Sequence, residues 1–203
     1  FPVHPSAWRE LGEANYLKLL DQGIEWAESL GMYVIIDWHS IGNLRMGLFQ
    51  NQGYYTTLQE TNNFWRTMAE RYAGRSSVPF FELFNEPTDM GGRLGSITWQ
   101  QWKEINADLI RLIRAWDPDK IVLVAGFDWA YDLTPVRSEP LPFENIAYVS
   151  HPYPMKRQKP WEPQWEKDWG FVADTYPVFA TEIGFCYPTD KGAHVPVMAD
   201  EEY

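Results

Sequence analysis

Five short apolar runs constrain the fold of this 203-residue chain more than any other feature. Each run is continuously apolar instead of alternating between apolar and polar residues, which is typical of strands buried on both faces of a parallel sheet. Parallel strands need long crossover connections, usually helices, so the pattern predicts an α/β fold. The predicted strands are residues 33–36, 80–84, 121–125, 146–149 and 178–180.

Amphipathic segments separate these runs. Two of them begin at Thr57 and Thr98, each followed three residues later by Glu or Gln, which is the spacing of a capping box. Apolar stripes at helical spacing cover residues 17–30, 57–72, 98–116 and, more weakly, 161–176. Four tryptophans on these stripes are predicted to lie in the core: Trp26, Trp65, Trp102 and Trp116. Residues 127–144 carry three prolines and are predicted to form a long loop with a possible short helix.

Polar residues follow each predicted strand directly. An open nucleotide-binding sheet should carry a Gly-rich turn after its first strand, and the sequence has none. In a parallel barrel all strand ends lie on one face, where active sites form. We therefore predict a (β/α)8 TIM barrel. The strand ends read Asp37-Trp38-His39, Asn85-Glu86-Pro87, Gly126-Phe127-Asp128-Trp129, His151-Pro152-Tyr153 and Thr181-Glu182.

The composition excludes several classes of function. The chain has 17 basic and 28 acidic residues, a net charge of −11, which argues against nucleic acid or an anionic membrane as a partner. No apolar run approaches the 18 residues that would predict a membrane span. One cysteine forms neither an internal disulfide nor a cysteine-based zinc site. Aromatic residues make up 16% of the chain, so a large core or a surface that stacks flat ligands is expected.

Glu86 and Glu182 are the sharpest pair of candidate catalytic residues. Each follows a strand, so the two carboxylates are expected to face each other across the barrel mouth. Glycoside hydrolysis needs two such groups, one protonated and one ionised. The alternative is that either glutamate caps a helix or pairs with an arginine. The polar neighbours at the other strand ends favour catalysis.

The segment 81–87, Phe-Glu-Leu-Phe-Asn-Glu-Pro, resembles the acid/base motif of glycoside hydrolase family 5, the endoglucanase and mannanase family. Three further segments, 37–39, 151–153 and 181–184, are similar to the ends of that family's third, sixth and seventh strands, in the same order. The resemblance covers about residues 1–185. It implies a barrel that runs, in this chain, from the end of the second strand through the seventh.

The resemblance also implies roles for individual residues. Glu86 would be the general acid and then the general base, and Glu182 the nucleophile. Asn85 would donate a hydrogen bond to the sugar 2-hydroxyl, and Tyr153 would hold Glu182 ionised and oriented. His39 and His151 would contact the sugar or steady the carboxylates. No metal or organic cofactor is implied.

Position alone indicates roles for several neighbouring side chains. Trp38 and Trp129 lie beyond strand ends, where a flat ring can stack on a sugar, and they are predicted substrate-binding residues. His4 and Trp8 are weaker candidates for the same groove. Asp37 is expected to orient other side chains rather than to catalyse.

The predicted function is that of a retaining endo-β-glycosidase acting on internal β-1,4-linkages of cellulose-type or mixed-linkage glucan. A β-mannanase or xyloglucanase of the same family would share every residue named so far. Two other classes stay open: an inactive carbohydrate-binding relative, and a metal-dependent barrel hydrolase with Asp37, His39, His151 and Glu182 as ligands.

The resemblance also predicts that 1–203 is one catalytic barrel domain truncated at both ends. The family's second-strand arginine would precede Phe1, and the tryptophan after its eighth strand would follow Tyr203. Such a fragment is expected to leave its barrel open and to be poorly stable when alone. The full-length protein is expected to be monomeric and secreted or periplasmic, with a polysaccharide as its partner and neither nucleic acid nor membrane.

Overall fold

A computed structural model describes residues 1–184 of the chain. The strands are β1 (Pro2–Val3), β2 (Ile35–Trp38), β3 (Ile41–Asn43), β4 (Leu48–Phe49), β5 (Phe80–Glu82), β6 (Glu86–Pro87), β7 (Ile121–Ala125), β8 (Ile146–Ser150) and β9 (Val178–Ala180). The α-helices are α1 (Pro5–Leu11), α2 (Glu13–Ser29), α3 (Leu58–Arg71), α4 (Trp99–Arg114), α5 (Phe127–Ala130) and α6 (Glu162–Asp168). Short 3-10 helices lie at Gln52–Tyr54, Gly92–Leu94, Thr134–Arg137, Pro154–Lys156 and Gly170–Asp174.

Six strands form one sheet in the order β1-β2-β5-β7-β8-β9, and every neighbouring pair is parallel. The order follows the chain, so each strand adds to the same side of the sheet. This confirms the predicted α/β alternation. Within residues 1–184, β1 and β9 each pair with one neighbour, so the sheet is open there. No helix in this part of the chain combines the length and apolar character needed to cross a bilayer.

A second sheet of three strands, β4-β3-β6, lies at the ends of β2 and β5 and was not predicted. Strand β3 pairs with β6 in parallel, and the Glu86 amide donates to the Ser40 carbonyl at 3.0 Å. Gly42 is required in β3 because a Cβ there would lie 2.4 Å from the Leu48 carbonyl oxygen. This sheet fixes the backbone that carries Glu86.

Helices α3 and α4 begin at the predicted capping residues. The Thr98 hydroxyl accepts from the Gln101 amide at 3.2 Å, and the Gln101 side chain accepts from the Thr98 amide at 3.1 Å, completing a capping box. The Thr57 hydroxyl accepts from the Glu60 amide at 3.0 Å. The Glu60 carboxylate does not accept from the Thr57 amide in turn. It accepts from Arg9 at 2.9 Å instead. Sequence spacing therefore located both helix starts.

Trp65 and Trp102 are buried, as predicted, and each indole N–H donates at 3.0 Å to a main-chain carbonyl at the end of a strand. Trp26 and Trp116 are 64% and 46% exposed, so their prediction as core residues is wrong. Helix α2 buries Leu20, Ile24 and Ala27, and Trp26 projects away from that face. Trp116 follows the end of α4, where the helical periodicity no longer applies.

Candidate active site

The carboxyl ends of the strands bring Glu86, His151 and Glu182 together. Glu86 opens β6, His151 follows β8 directly, and Glu182 lies two residues beyond β9. One side-chain oxygen or nitrogen from each residue lies within 4.8 Å of those of the other two. Residues that are far apart in sequence thus form one cluster, in the place predicted from the strand ends.

Glu86 is buried and bonded to a buried histidine. Its Oε1 lies 3.0 Å from Nδ1 of His151, whose ring is fully buried. On the other edge of the ring, Nε2 lies 3.1 Å from the Thr181 hydroxyl and 3.6 Å from Oε1 of Glu82. Burial lowers the pKa of His151, but its hydrogen bond to Glu86 and its ion pairs with Glu82 and Glu86 outweigh burial and raise it to about 9.

Glu182 occupies a more open position and is held from one side. The Tyr153 hydroxyl donates to its Oε1 at 2.5 Å. Hydrogen bonds to an ionised carboxylate are shorter and stronger than neutral ones. The contact therefore orients the Glu182 carboxylate through one of its oxygens.

Asn85 has an unused donor next to this cluster. Its side chain is buried, and its Nδ2 finds no hydrogen-bond partner among residues 1–184. It lines a cavity of about 370 Å³ together with Glu82 and Glu182. Buried polar atoms are nearly always bonded, so an unpaired amide at a cavity wall is suited to a polar ligand.

Asp37 and His39 form a bonded pair on the other side of the site. Oδ2 of Asp37 lies 2.6 Å from Nδ1 of His39. Burial, together with the charge of Glu82, raises the pKa of Asp37 to about 7 against the opposing effect of His39. Burial lowers the pKa of His39, but its bond to Asp37 and the surrounding carboxylates raise it overall. Asp37 thus orients His39, the role its position predicted.

The rings of His4, His39 and Tyr54 extend this side into an aromatic wall. The His4 ring centre lies 4.5 Å from that of His39 and 5.4 Å from that of Tyr54, with which it stacks. His4 was a weak candidate from sequence. Tyr54 was missed because the conformation of residues 40–56 does not follow from their pattern.

Trp38 does not reach the groove, and its prediction as a substrate-binding residue is wrong. Its ring is fully buried, stacks on Phe64 at 4.2 Å, and donates to the Thr61 hydroxyl at 3.2 Å. Successive side chains of a strand point to opposite faces. Since Asp37 faces the site, Trp38 faces helix α3. Trp8 packs edge-on against the same Phe64 and also belongs to the core.

Trp129 is half-buried in the turn α5, which packs against β6, the strand that begins at Glu86. Its indole N–H donates to Oε1 of Gln50 at 2.9 Å. Nearby Lys156 donates to the main-chain carbonyl of Trp129 at 2.8 Å. No sequence motif around Gln50 or Lys156 predicts that these residues contact Trp129.

The donor set of Glu86, His151 and Glu182 is compact enough to hold a cation. It differs from the ligand set weighed from sequence, because Asp37 and His39 bond each other outside this group. Two carboxylates and one imidazole also fit acid–base and nucleophilic chemistry, in which the donors of His151 and Tyr153 stabilise the negative charges.

Comparison with known proteins shows the family. A sequence model described as cellulase, glycosyl hydrolase family 5, matches residues 4–201. Endoglucanase A from Butyrivibrio fibrisolvens is 32% identical over 145 residues, which are 70% of this chain and 30% of that protein. Endoglucanase E-5 from Thermobifida fusca is 26% identical over 198 residues, 94% of this chain and 38% of that protein.

A solved relative covers the same fold. The crystal structure of the beta-glucanase SdGluc5_26A from Saccharophagus degradans superimposes with a TM-score of 0.94 at 48% identity, over 98% of this chain and 61% of that one. A complex of that protein with cellotetraose gives the same TM-score at 47% identity. The six-stranded parallel sheet is therefore part of a (β/α)8 barrel, as predicted, and the chain spans less than two thirds of each of these relatives. By its match over residues 4–201, the chain belongs to the cellulase family, glycosyl hydrolase family 5.

Proposed function

We propose that this chain carries the catalytic pair of a retaining endo-β-glucanase. The observation that supports this most is the separation of Glu86 and Glu182, which place carboxylate oxygens within 4.8 Å of each other. Retaining glycosidases hold their two carboxyl groups about 5–5.5 Å apart, whereas inverting enzymes need about 6.5–9.5 Å to admit a water. One oxygen of each carboxylate lies closer to the other than the inverting spacing, which supports a covalent intermediate.

In the first step, an oxygen of Glu182 forms a bond to the anomeric carbon as the glycosidic C–O bond breaks. Glu86 transfers its proton to the departing oxygen, so the leaving sugar departs as a neutral alcohol. Tyr153 holds the attacking carboxylate in place through its 2.5 Å bond. Asn85 supplies its unpaired Nδ2 to the 2-hydroxyl of the bound sugar, a bond that strengthens in the transition state.

In the second step, Glu86 acts as a base. It takes a proton from water while the water oxygen bonds to the anomeric carbon and the ester bond to Glu182 breaks. The glutamates return to their starting protonation states. The configuration at the anomeric carbon is inverted twice and so retained.

The substrate we favour is a β-1,4-linked glucan. A relative 47% identical has been solved with cellotetraose, and the half-buried indole of Trp129, in the turn that packs against β6, provides a flat surface for a sugar. A β-mannanase or xyloglucanase would use the same carboxylates. Release of reducing ends from β-glucan, glucomannan, xylan and xyloglucan compares these substrates directly.

The test of the catalytic assignment is Glu182→Gln. We expect turnover of the best substrate in that panel to fall below detection, while cellotetraose binding persists, because the amide keeps the shape but cannot attack. Glu104→Gln, an exposed site on α4, is the matched control and should match wild type. Activity of Glu182→Gln at the wild-type level would refute the assignment.

Two controls address the other classes. A metal-dependent hydrolase would lose activity in EDTA, whereas acid–base and nucleophilic catalysis would not. An inactive carbohydrate-binding relative would bind insoluble glucan without releasing reducing ends.

Residues 1–203 are proposed as one catalytic domain of a monomer that acts outside the cytoplasm, where its polymeric substrate lies.

A further inference from the structure

The turn after β7 has an unusual backbone. Asp128 and Trp129 have φ/ψ of 56°/51° and 55°/58°, and Ala130 has φ of 58°. Three consecutive non-glycine residues thus adopt the left-handed conformation. Each carries a Cβ that this conformation disfavours, so a single such residue is uncommon and three in a row need support from elsewhere. Strain of this kind concentrates at functional sites.

The support comes from the segment that follows β8. Nζ of Lys156 donates to the main-chain carbonyls of Asp128 and Trp129. The next carbonyl in the turn, that of Ala130, accepts from the His151 amide at 2.8 Å. The carbonyl after it, that of Tyr131, accepts from the Ser150 hydroxyl at 3.1 Å. Four successive carbonyls are therefore bound by one neighbouring segment.

Lys156 binds two of these four carbonyls through a single side chain that has no role in the catalytic cluster. Its ammonium lies 5.6 Å from the ring centre of Tyr131 and 5.9 Å from that of Trp129. Burial lowers its pKa to about 8, although the charges of Asp128, Glu86 and Glu182 oppose that change. A desolvated ammonium needs acceptors, and the two carbonyls of the turn supply them.

The turn determines where the Trp129 indole lies. The indole N–H donates to Gln50, which follows β4, and the turn itself packs against β6, which begins at Glu86. If Glu86 is the general acid, a ring presented by the turn that packs on β6 is placed to contact the sugar on the leaving-group side. Loss of the left-handed turn would withdraw this surface without touching either catalytic carboxylate.

We propose that Lys156 is a positioning residue that holds the left-handed turn 128–130 and so presents Trp129 to the sugar on the leaving-group side. The sugar-binding part of this inference rests on the proposed function, whereas the conformational part does not. Arg157 lies 3.5 Å from the Asp128 carboxylate, but it contacts the side chain and not the carbonyls of the turn.

The experiment measures two properties of Lys156→Met: cellotetraose affinity in a Glu182→Gln background, and hydrogen exchange of the Trp129 indole N–H by NMR. We expect affinity to fall about tenfold, as in Trp129→Ala, because aromatic contacts are worth about that factor. Lys156→Met combined with Trp129→Ala should lower cellotetraose affinity no more than either substitution does alone. Indole exchange should accelerate at least tenfold. Lys103→Met, on α4, is the control.

A glycine rescue separates positioning from general stability. Glycine adopts positive φ without steric cost, so Asp128→Gly with Ala130→Gly should restore most of the affinity and indole protection lost in Lys156→Met. Melting temperatures are recorded for every variant. A lower melting temperature with unchanged affinity and exchange, or absence of rescue, would overturn the proposal. If Lys156→Met does not fold, the triple variant with both glycines still provides the test. A folded triple variant with wild-type indole exchange supports the inference. A folded triple variant with accelerated indole exchange contradicts it.

If wild-type protein bound no cellotetraose, the proposed function would fail. Indole exchange would still decide whether Lys156 holds the turn.

Discussion

The two glutamates proposed to be catalytic lie within reach of each other but in different surroundings. Glu86 is buried and joined through His151 to Thr181 and Glu82, so its position is fixed by a network from three strand ends. Glu182 is half-buried and held by Tyr153. The proposed acid is thus set in a connected network, whereas the proposed nucleophile is held at one oxygen by Tyr153.

Beyond the loss of turnover expected in Glu182→Gln, the largest effect is expected from removing the acid. Glu86→Gln should lower turnover of β-glucan by about 10²–10⁴-fold, the range for general acid–base catalysis. For an aryl glucoside with an acidic leaving group, formation of the glycosyl-enzyme should be nearly unaffected, because that leaving group needs no proton. Pre-steady-state release of the phenol measures this step. Equal losses on both substrates would contradict the division of roles.

The second effect concerns stability and pH. The pKa of His151 in the folded protein, about 9, exceeds the unfolded value of about 6.5. Its contribution is therefore complete below about pH 6.5 and is lost as pH rises through about 9, a decline of up to about 3 kcal/mol in the free energy of unfolding. Urea unfolding at several pH values measures it.

The control for this measurement is His151→Gln, which should lack that decline. Lys156 acts with the opposite sign, since its lowered pKa of about 8 makes stability rise above that pH. Only the difference between wild type and His151→Gln therefore isolates the histidine. Parallel profiles for the two proteins would rule out a charged His151 in this network.

The smallest of the three effects is expected from removing the Tyr153 hydroxyl, which contacts the proposed nucleophile Glu182. Tyr153→Phe removes one hydrogen bond to a charged acceptor, worth about 1.5–3 kcal/mol, so kcat/KM should fall about 10–100-fold with the fold intact. The exposed Tyr55→Phe should leave kcat/KM unchanged. A loss below threefold in Tyr153→Phe would show that the contact does not matter to the attacking carboxylate.

Sequence reasoning located what depends on local pattern. Strand β7 was predicted at its observed residues, and Thr98 was recognised as the start of α4 from side-chain spacing alone. Glu86 and Glu182 were predicted to converge because parallel strands end on one face, and their carboxylates do lie close together. These features follow from periodicity and topology.

The predictions failed where the orientation of a side chain, or its contact with residues distant in sequence, determines its position. Trp38 was placed in the groove by its position after a strand, but the two-residue alternation from Asp37 already directs it towards α3. Trp26 lies next to a buried position on α2 and yet outside the buried face. Lys156 acts on a turn 26–28 residues earlier in the chain, and no local pattern encodes such a contact.

The carbonyls of residues 128–131 are bound by residues 150–156, and this has a consequence for recombination among relatives. A chimera that inherits the first segment from one parent and the second from another separates donors from their acceptors. The two segments should therefore come from the same parent. Crossovers that keep them together preserve the geometry of the barrel mouth.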